Sequence, residues 1–201
     1  MSAAPLPPLP PAAEALPRKR FTRAEVDHLM EGGFFEGQRY ELIDGDLIDK
    51  IGQNPPHAQA IRLIHRWLST FLETDLIQTQ LPIEVSAQDR ERSLPEPDLA
   101  VLAEFKSDYA RRHPRGDELR MVIEVSDTTV QFDLSRKAAL YSLARVPEYW
   151  VLDLPRRTLV VHRQPSEAGY RLIQLFGESD AVSLENGAET ASVSEFLPPG
   201  L

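Results

Sequence analysis

The sequence predicts a mixed α/β fold in which a central mixed β-sheet is flanked by helices. Two observations carry this prediction. Apolar residues recur at helical spacing over residues 57–73, and a strand of eight residues stands out over 119–126. The order of helices and strands elsewhere agrees with it. With 201 residues, 42% of them hydrophobic, the chain can bury a sizeable core without disulfides.

The N-terminal end differs in composition from the rest of the chain. Residues 1–17 contain six prolines and five alanines, a composition that does not form a regular backbone ladder. We therefore expect a flexible tail over residues 1–20, followed by one folded domain over residues 21–201.

The first folded elements are predicted to be a short helix and a hairpin. Thr22 and Glu25 have the spacing of a capping box, which predicts a helix that runs to about Glu31. Two strand-like runs then flank Asp44-Gly45, a dipeptide that is typical of a two-residue turn between paired strands.

The middle of the chain adds strands to the long helix. Ile83 and Val85 alternate with polar neighbours as in a strand, and residues 99–102 form a further apolar run. Residues 103–118 are polar and are predicted to form a loop. For the strand that follows, alternation predicts one face with Leu119, Met121, Ile123 and Val125, and another with Arg120, Val122, Glu124 and Ser126.

The C-terminal third continues the alternation of helix and strand. Apolar spacing predicts a helix over residues 132–144, and an apolar strand follows at 149–152. Residues 159–162 and 170–173 are predicted to pair as a hairpin, and a short segment near 193–197 ends the folded part.

Several classes of function are excluded by motifs that the sequence lacks. It has no cysteine, which removes disulfides, thiolate zinc sites and cysteine nucleophiles. It has no phosphate loop, no Gly-x-Ser-x-Gly nucleophile turn and no His-Glu-x-x-His. Because no apolar run is long enough to span a membrane and no signal peptide is recognisable, we expect a cytoplasmic protein without membrane contact.

The acidic balance of the chain bears on nucleic-acid binding. A formal net charge of -9 disfavours a protein that coats nucleic acid, because phosphate binding rests on Lys and Arg. It leaves room for an enzyme that meets nucleic acid at one metal-filled cleft, since carboxylates that bind divalent ions add negative charge themselves.

Two carboxylates lie on predicted strands. Asp98 begins one strand and Glu124 lies within another, where a charge is costly unless it is paired, solvated or bound to metal. If these strands pair, the two carboxylates are neighbours, and a divalent cation would relieve their repulsion. Oxygen ligands suit Mg²⁺ or Mn²⁺. The alternative is that both side chains face solvent on an open sheet.

Other charged residues near these strands have two interpretations each. Lys137 could aim its charge at a scissile phosphate or an attacking water, but an ordinary ion pair with Asp133 on the same helix face is the simpler explanation. Glu41 could be a further metal ligand or the polar side of a half-buried strand. His57 could hold a phosphate or cap a helix.

Taken in order, these segments resemble a known family. The resemblance covers roughly residues 20–197 and rests on Tyr40-Glu41-Leu42-Ile43-Asp44-Gly45, His57, Pro97-Asp98, Val122-Ile123-Glu124-Val125-Ser126, Asp133…Lys137…Tyr141 and Val146-Pro147-Glu148-Tyr149-Trp150-Val151-Leu152-Asp153. The chain is similar to small bacterial restriction-endonuclease-like proteins of the PD-(D/E)xK nuclease superfamily. Each motif alone is weak, and the ordered set is more specific.

The resemblance implies a restriction-endonuclease-like core, with Mg²⁺ held by Asp98, Glu124 and the backbone carbonyl of Val125. It matches Glu41 to the N-terminal acidic position of the family, which serves metal binding and catalysis. The lysine expected two residues after Glu124 is Ser126 here. The resemblance implies that Lys137, on the following helix, takes the role of that lysine.

The implied activity is metal-assisted hydrolysis of DNA phosphodiester bonds. Because a duplex has two strands to cut, a homodimer is a further expectation. The alternative from another class is a catalytically silent binding module that keeps the nuclease fold, which the acidic charge and Ser126 favour. A third alternative, a hydrolase that acts on sugars with a pair of carboxylates, is the least favoured. Only 7% of the residues are aromatic, and no aromatic-rich segment for binding a sugar is recognisable. The position of Lys137 distinguishes the enzyme from the binding module. A Lys137 that points into the cleft of Asp98 and Glu124 favours the enzyme, and one that pairs with Asp133 on the outside favours the binding module.

Overall fold

The computed structural model describes residues 18–50, 54–185 and 187–200. Its centre is a six-stranded mixed sheet with the strand order β3-β4-β5-β6-β7-β8. Strands β5 and β6 pair in parallel, and the other neighbours in this sheet pair antiparallel. The strands are β3 (Ile77–Thr79), β4 (Leu99–Leu102), β5 (Leu119–Ser126), β6 (Glu148–Asp153), β7 (Thr158–Arg163) and β8 (Leu172–Phe176). The predicted central mixed sheet is thereby confirmed.

The N-terminal helix and hairpin form as predicted. Helix α1 (Arg23–Glu31) begins with the capping box of Thr22 and Glu25. Strands β1 (Tyr40–Ile43) and β2 (Asp46–Asp49) pair antiparallel. Asp44 and Gly45 both have positive φ, 49° and 77°, as a type I′ turn requires.

Helix α2 (Pro55–Leu68) is shorter than the sequence predicts at its C-terminal end and begins two residues earlier. The side chain of Asn54 caps it by accepting a hydrogen bond from the backbone N–H of His57 at 3.0 Å, and the two prolines occupy its first turn. The helix ends at Ser69, before the rest of the predicted pattern.

The helix after β5 has a wider turn in its middle. Helix α3 (Val130–Phe132) runs through a π-helical turn (Asp133–Lys137) into α4 (Ala138–Leu143). Such turns inside helices are frequent at functional sites. Here the turn carries two of the residues singled out from the sequence, and it lies between the parallel strands β5 and β6.

The central sheet has a core on each face. On one face, α2 packs on alternate residues of β5 and β6, among them Met121, Ile123 and Trp150. On the other face, α4 packs on the intervening residues, among them Val122 and Tyr149. This alternation places Glu124 on the same side as α4. The packing therefore turns the acidic residue of β5 toward the helix that carries the lysine.

Two strand predictions need correction. Leu119 belongs to the α4 face and not to the face of Met121, because a bulge opposite Val101 and Leu102 shifts the register. Ile83 and Val85 are buried but lie outside any named strand. Both side chains are buried, which explains their alternation with polar neighbours. The segment pairs through an isolated bridge between Glu84 and Arg115.

Several short elements had no clear signal in the sequence. Strand β3 and the hairpin of β9 (Ala181–Ser183) with β10 (Thr190–Ser192) have three residues each, too few for a period to show. The predicted hairpin near residues 159–173 forms between β7 and β8, with its second strand beginning at Leu172. The segment near 193–197 is a 3₁₀ turn, Val193–Phe196.

The predicted N-terminal tail is covered by the structure only in part. Residues 1–17 of the predicted tail lie outside the described residues, and the division at residue 20 stays a prediction. Arg20 contacts the hairpin, with Nη1 2.7 Å from Oδ2 of Asp46. Among the described helices, none is both long and apolar enough to cross a membrane.

Candidate active site

Asp98 and Glu124 are brought to one cleft by the pairing of β4 with β5. Leu99 lies opposite Ile123, so that Asp98 stands just before β4 beside the C-terminal half of β5. Both side chains are buried, with 4% and 3% of their surfaces exposed. The two carboxylates therefore do not face open solvent, which was the alternative interpretation of their positions.

Lys137 points into this cleft and contacts carboxylates from three segments. Its Nζ atom lies 2.7 Å from Oε1 of Glu41, 2.9 Å from Oε1 of Glu124 and 3.9 Å from Oδ1 of Asp133. Asp133 is itself buried, so its pairing with Lys137 happens inside the site and not on an outer helix face. Lys137 therefore both points into the cleft and pairs with Asp133, so the two interpretations of this residue hold together.

The charge state of Lys137 follows from its partners. Burial alone would lower the pKa of Lys137, but the negative charges of Glu124, Glu41 and Asp133 outweigh burial and raise it above its ordinary value. Lys137 is therefore a fixed positive charge at neutral pH, surrounded by acidic groups.

Glu124 is held by two donors on α4 and the π-helical turn. Its Oε1 atom accepts hydrogen bonds from Lys137 Nζ at 2.9 Å and from the hydroxyl of Tyr141 at 2.8 Å. Burial, followed by the negative charges of nearby carboxylates, raises the pKa of Glu124 to about 8, although Lys137 acts in the opposite direction. A cation in the cleft would favour its ionised form.

Asp98 is fixed by donors from other elements. Its Oδ2 atom accepts from the backbone N–H of Val125 at 2.9 Å and lies 3.2 Å from Nε2 of His57. Burial alone would raise the pKa of Asp98, but the hydrogen bond and charge of His57, together with Lys50, hold it below its usual value. Asp98 is therefore ionised at neutral pH, whereas Glu124, whose pKa is raised, binds a proton more readily.

His57 lies on the third residue of α2 and faces Asp98. Burial alone would lower the pKa of His57, but the hydrogen bond and charge of Asp98 outweigh burial and raise it. Its Nδ1 atom is buried and has no hydrogen-bond partner within the described part of the chain. The structure thus places His57 against a site carboxylate, and Asn54, not His57, caps the helix.

The donor set suits a hard divalent cation. The cleft contains four buried carboxylates, three of them in contact with Lys137 (Glu41, Glu124 and Asp133) and one, Asp98, beside His57, so carboxylates outnumber the lysine. Because the N–H and C=O of one strand residue point to the same edge, the carbonyl of Val125 faces the Asp98 side. Oxygen ligands of this kind are those that Mg²⁺ and Mn²⁺ prefer.

The carboxylates are not already gathered as a metal cluster. Among residues 18–50, 54–185 and 187–200, no three Asp, Glu or His side chains form a ready-made metal-binding group. The metal prediction therefore rests on Asp98 and Glu124 with the backbone oxygen of Val125, and Mg²⁺ binding stays a prediction. Glu41 is held by Lys137 and by the backbone N–H of Glu96 at 3.2 Å.

The carboxylates and Lys137 line an open cleft of about 660 Å³, with Arg39 and Lys50 at its side. Sequence reasoning missed three contributors to this site. Tyr141 follows Lys137 by one helical turn, a spacing that could have indicated it. For Asp133 the sequence offers only an ion pair with Lys137 and no role in the cleft, and Gln80, which contacts Asp98, follows a strand too short to predict.

Ser126 stands where the superfamily pattern has its lysine, and it is buried. Its hydroxyl donates to Oδ2 of Asp133 at 2.6 Å, and the hydroxyl of Thr129 donates to the same atom at 2.7 Å. Ser126 therefore orients Asp133, while the positive charge of the site comes from Lys137.

The arginines of the polar loop are engaged elsewhere. Arg112 donates to both carboxylate oxygens of Glu118, at 2.6 and 2.8 Å, and Arg115 lies 3.4 Å from the same residue. Arg112 and Arg115 are thus paired with a buried glutamate of their own segment and are not among the residues that line the cleft. Arg39 and Lys50 are the basic side chains among the residues that line the cleft together with Lys137.

The mixed sheet and its buried cluster of carboxylates around a lysine define a restriction-endonuclease-like protein. A family profile described as "Uma2: Putative restriction endonuclease" matches residues 24–196. Since this match spans most of the chain, the protein belongs to the Uma2 family. Family membership supports a nuclease-like function, and it confirms the resemblance inferred from the ordered motifs.

A comparison with solved structures agrees on the fold. The chain is similar to a crystal structure described as "a putative nuclease belonging to DUF820" from Anabaena variabilis ATCC 29413. The match covers 88% of this chain and 97% of that chain, with a TM-score of 0.68 and 15% sequence identity. At this identity the likeness shows the fold alone. No curated protein matches the chain.

Proposed function

We propose that the protein is a divalent-metal-dependent endonuclease that hydrolyses DNA phosphodiester bonds in the cleft between β5, the π-helical turn and the N-terminal hairpin. The observation that carries this proposal is the position of Lys137, buried between Glu41 and Glu124 in the cleft that also contains Asp98. Burial of a cation with two carboxylates carries a large desolvation cost, and buried charge clusters of this kind are frequent at functional sites. Membership in the Uma2 family supports a phosphodiester substrate.

Asp98, Glu124 and the carbonyl of Val125 would hold Mg²⁺ or Mn²⁺, and Glu41 would assist. Such an ion lowers the pKa of water and stabilises negative charge on a phosphate. Lys137 presents Nζ toward the same space and is placed to orient the attacking water or balance charge that develops on the phosphate. Tyr141 fixes Oε1 of Glu124, and His57 with Val125 N–H fixes Oδ2 of Asp98.

The basic residues near the cleft support a polyanionic substrate, although the whole chain is acidic. Arg39 and Lys50 line the same cleft as Lys137, where their positive charges can contact the phosphates of a strand backbone. Both are tied to Glu96, which holds them at the cleft in the absence of substrate. A cytoplasmic location and a homodimer remain expectations that accompany the proposal.

A second candidate function is a binding module that keeps the fold without catalysis. It is favoured by Ser126, since the residue that replaces the superfamily lysine is used to orient Asp133. The position of Lys137 favours the enzyme, because its charge lies beside Glu124 despite that replacement.

Plasmid cleavage tests the choice between the two. Purified protein is incubated with supercoiled plasmid in Mg²⁺, in Mn²⁺ and in EDTA, beside Asp98→Asn and a control, Asp117→Asn. Asp117 is exposed, lies 3.4 Å from Arg115 and is not among the residues that line the cleft. We expect cleavage that needs the metal, is lost in Asp98→Asn and persists in the control. Metal binding without cleavage of DNA or RNA would favour the binding module.

A further inference from the structure

Gln80 has a left-handed backbone conformation directly beside Asp98. Its φ is +54°, in a region that residues other than glycine, asparagine and aspartate seldom occupy. Its backbone N–H donates to the backbone carbonyl of Asp98 at 3.1 Å. The strained residue therefore joins the end of β3 to the start of β4 at the candidate site. Strain of this kind clusters at functional sites.

The side chain of Gln80 connects two charged residues of the cleft. Its Nε2 atom donates to Oδ1 of Asp98 at 3.3 Å, and its Oε1 atom accepts from Nη1 of Arg39 at 3.2 Å. Because a guanidinium only donates and a carboxylate only accepts, these two partners fix which end of the amide faces Asp98. The amide is therefore aimed, and not free to flip.

The contact completes the restraint on the Asp98 carboxylate. Oδ2 is held by the backbone of Val125 and by His57, whereas Gln80 supplies the donor to Oδ1. Donors on both oxygens fix the plane of the carboxylate as well as its position. A turn requirement alone would be met better by glycine, which adopts positive φ without strain.

We propose that Gln80 is a positioning residue that orients Asp98 for metal binding, through Nε2 on Oδ1, and is itself held by Arg39. This inference rests on the proposed function, since it assigns Asp98 to the metal. This role explains why a glutamine, and not a glycine, occupies a position with positive φ beside the site. This role can be tested without loss of folding. Glycine removes the side chain of residue 80 and adopts its positive φ without strain.

The test compares Gln80→Gly with a matched control, Gln164→Gly. Gln164 also has a positive φ, +60°, but it is exposed and follows β7 away from the cleft. Mn²⁺ affinity is measured by calorimetry, and stability by thermal unfolding in EDTA. We expect Gln80→Gly to weaken Mn²⁺ binding about 10-fold or more while the unfolding temperature holds or rises. Gln164→Gly should leave Mn²⁺ affinity unchanged.

A third variant separates side-chain reach from backbone conformation. Asparagine tolerates positive φ but is one methylene shorter, so Gln80→Asn should weaken Mn²⁺ binding as glycine does. Equal Mn²⁺ affinities in the wild type and Gln80→Gly would overturn the role of Gln80 and leave the proposed function standing. A wild-type protein that binds no Mn²⁺ would overturn the proposed function and this role together.

Discussion

The Nζ atom of Lys137 lies 2.7 Å from Oε1 of Glu41, so the π-helical turn after β5 and the N-terminal hairpin meet at a buried ion pair. The same Nζ atom lies 2.9 Å from Oε1 of Glu124 on β5. One lysine thereby joins three segments that are distant in the sequence. It also offsets part of the negative charge that the cleft accumulates, so that its removal should affect both stability and activity.

Replacement of Lys137 by methionine should destabilise the metal-free protein and abolish its activity. The change keeps most of the side-chain volume but leaves Glu41 and Glu124 buried without their cation. Breaking a buried pair in this way costs about 3–5 kcal/mol in the free energy of unfolding. We expect cleavage to fall about 100-fold or more, since a group that stabilises developing charge is lost. Urea unfolding and plasmid cleavage measure the two effects.

Lys106 offers a matched control for this substitution. It pairs with the exposed Glu104 and the buried Glu118, at 3.2 Å in each case, and its own side chain is 34% exposed. Lys106→Met should change the free energy of unfolding by less than about 1 kcal/mol and leave cleavage intact. If Lys137→Met cleaved plasmid at the wild-type rate, Lys137 would have no part in the chemistry.

Acid stability should depend on the pair formed by Glu118 and Arg112. The hydrogen bonds of Arg112 hold the pKa of Glu118 at about 2, below its ordinary value of 4.5. A carboxyl with a lowered pKa in the folded state stabilises the protein above the unfolded pKa, and this contribution is lost as pH falls toward 2. We therefore expect the free energy of unfolding to fall between about pH 5 and pH 2.

The variant Glu118→Gln isolates this contribution. It keeps the shape of the side chain and removes the charge, so the difference in stability between wild type and variant should shrink as pH falls through that window. Urea unfolding at several pH values supplies the comparison. A difference that stays constant from pH 6 to pH 2 would show that the ionised form of Glu118 is not selectively stabilised.

Gly116 should resist substitution because of close backbone packing. A Cβ at this position would lie 2.3 Å from the backbone oxygen of Ala144, just after α4. Gly116→Ala should therefore destabilise the protein by about 1–3 kcal/mol, as overpacking does. Thermal unfolding measures this loss. Gly169→Ala controls for the loss of a glycine, since no atom lies within 4 Å of its added Cβ, although its φ of +107° adds strain of its own. An unfolding temperature of Gly116→Ala equal to that of wild type would contradict the packing argument.

The sequence predicts the elements that carry the site better than the contacts within it. The strand of Glu124, the helix of Lys137 and the Asp44-Gly45 hairpin each have a local signal, in alternation, helical spacing or turn chemistry. These signals act over a few residues and are visible without the fold. The pairing of β4 with β5, on which the meeting of Asp98 and Glu124 depends, follows only when the strands are assembled.

Other features of the site depend on contacts that no local pattern records. Gln80 reaches Asp98 because a three-residue strand and a left-handed turn place it there. The burial of Asp133 depends on the π-helical turn, which brings it inward beside Lys137. The bulge that moves Leu119 to the other face is set by the register with β4. Each of these arises from long-range pairing or irregular backbone geometry.

The most direct measurement of the central claim is calorimetric titration of Mn²⁺ and Mg²⁺ into the purified protein and into the double variant Asp98→Asn, Glu124→Gln. Both substitutions keep side-chain shape while removing the two acidic groups that face the cleft. Binding by the wild type that disappears in the double variant, together with loss of plasmid cleavage, is the predicted result. Equal metal binding by the two proteins, or none by the wild type, would contradict the assignment of Asp98 and Glu124 as the metal-binding pair.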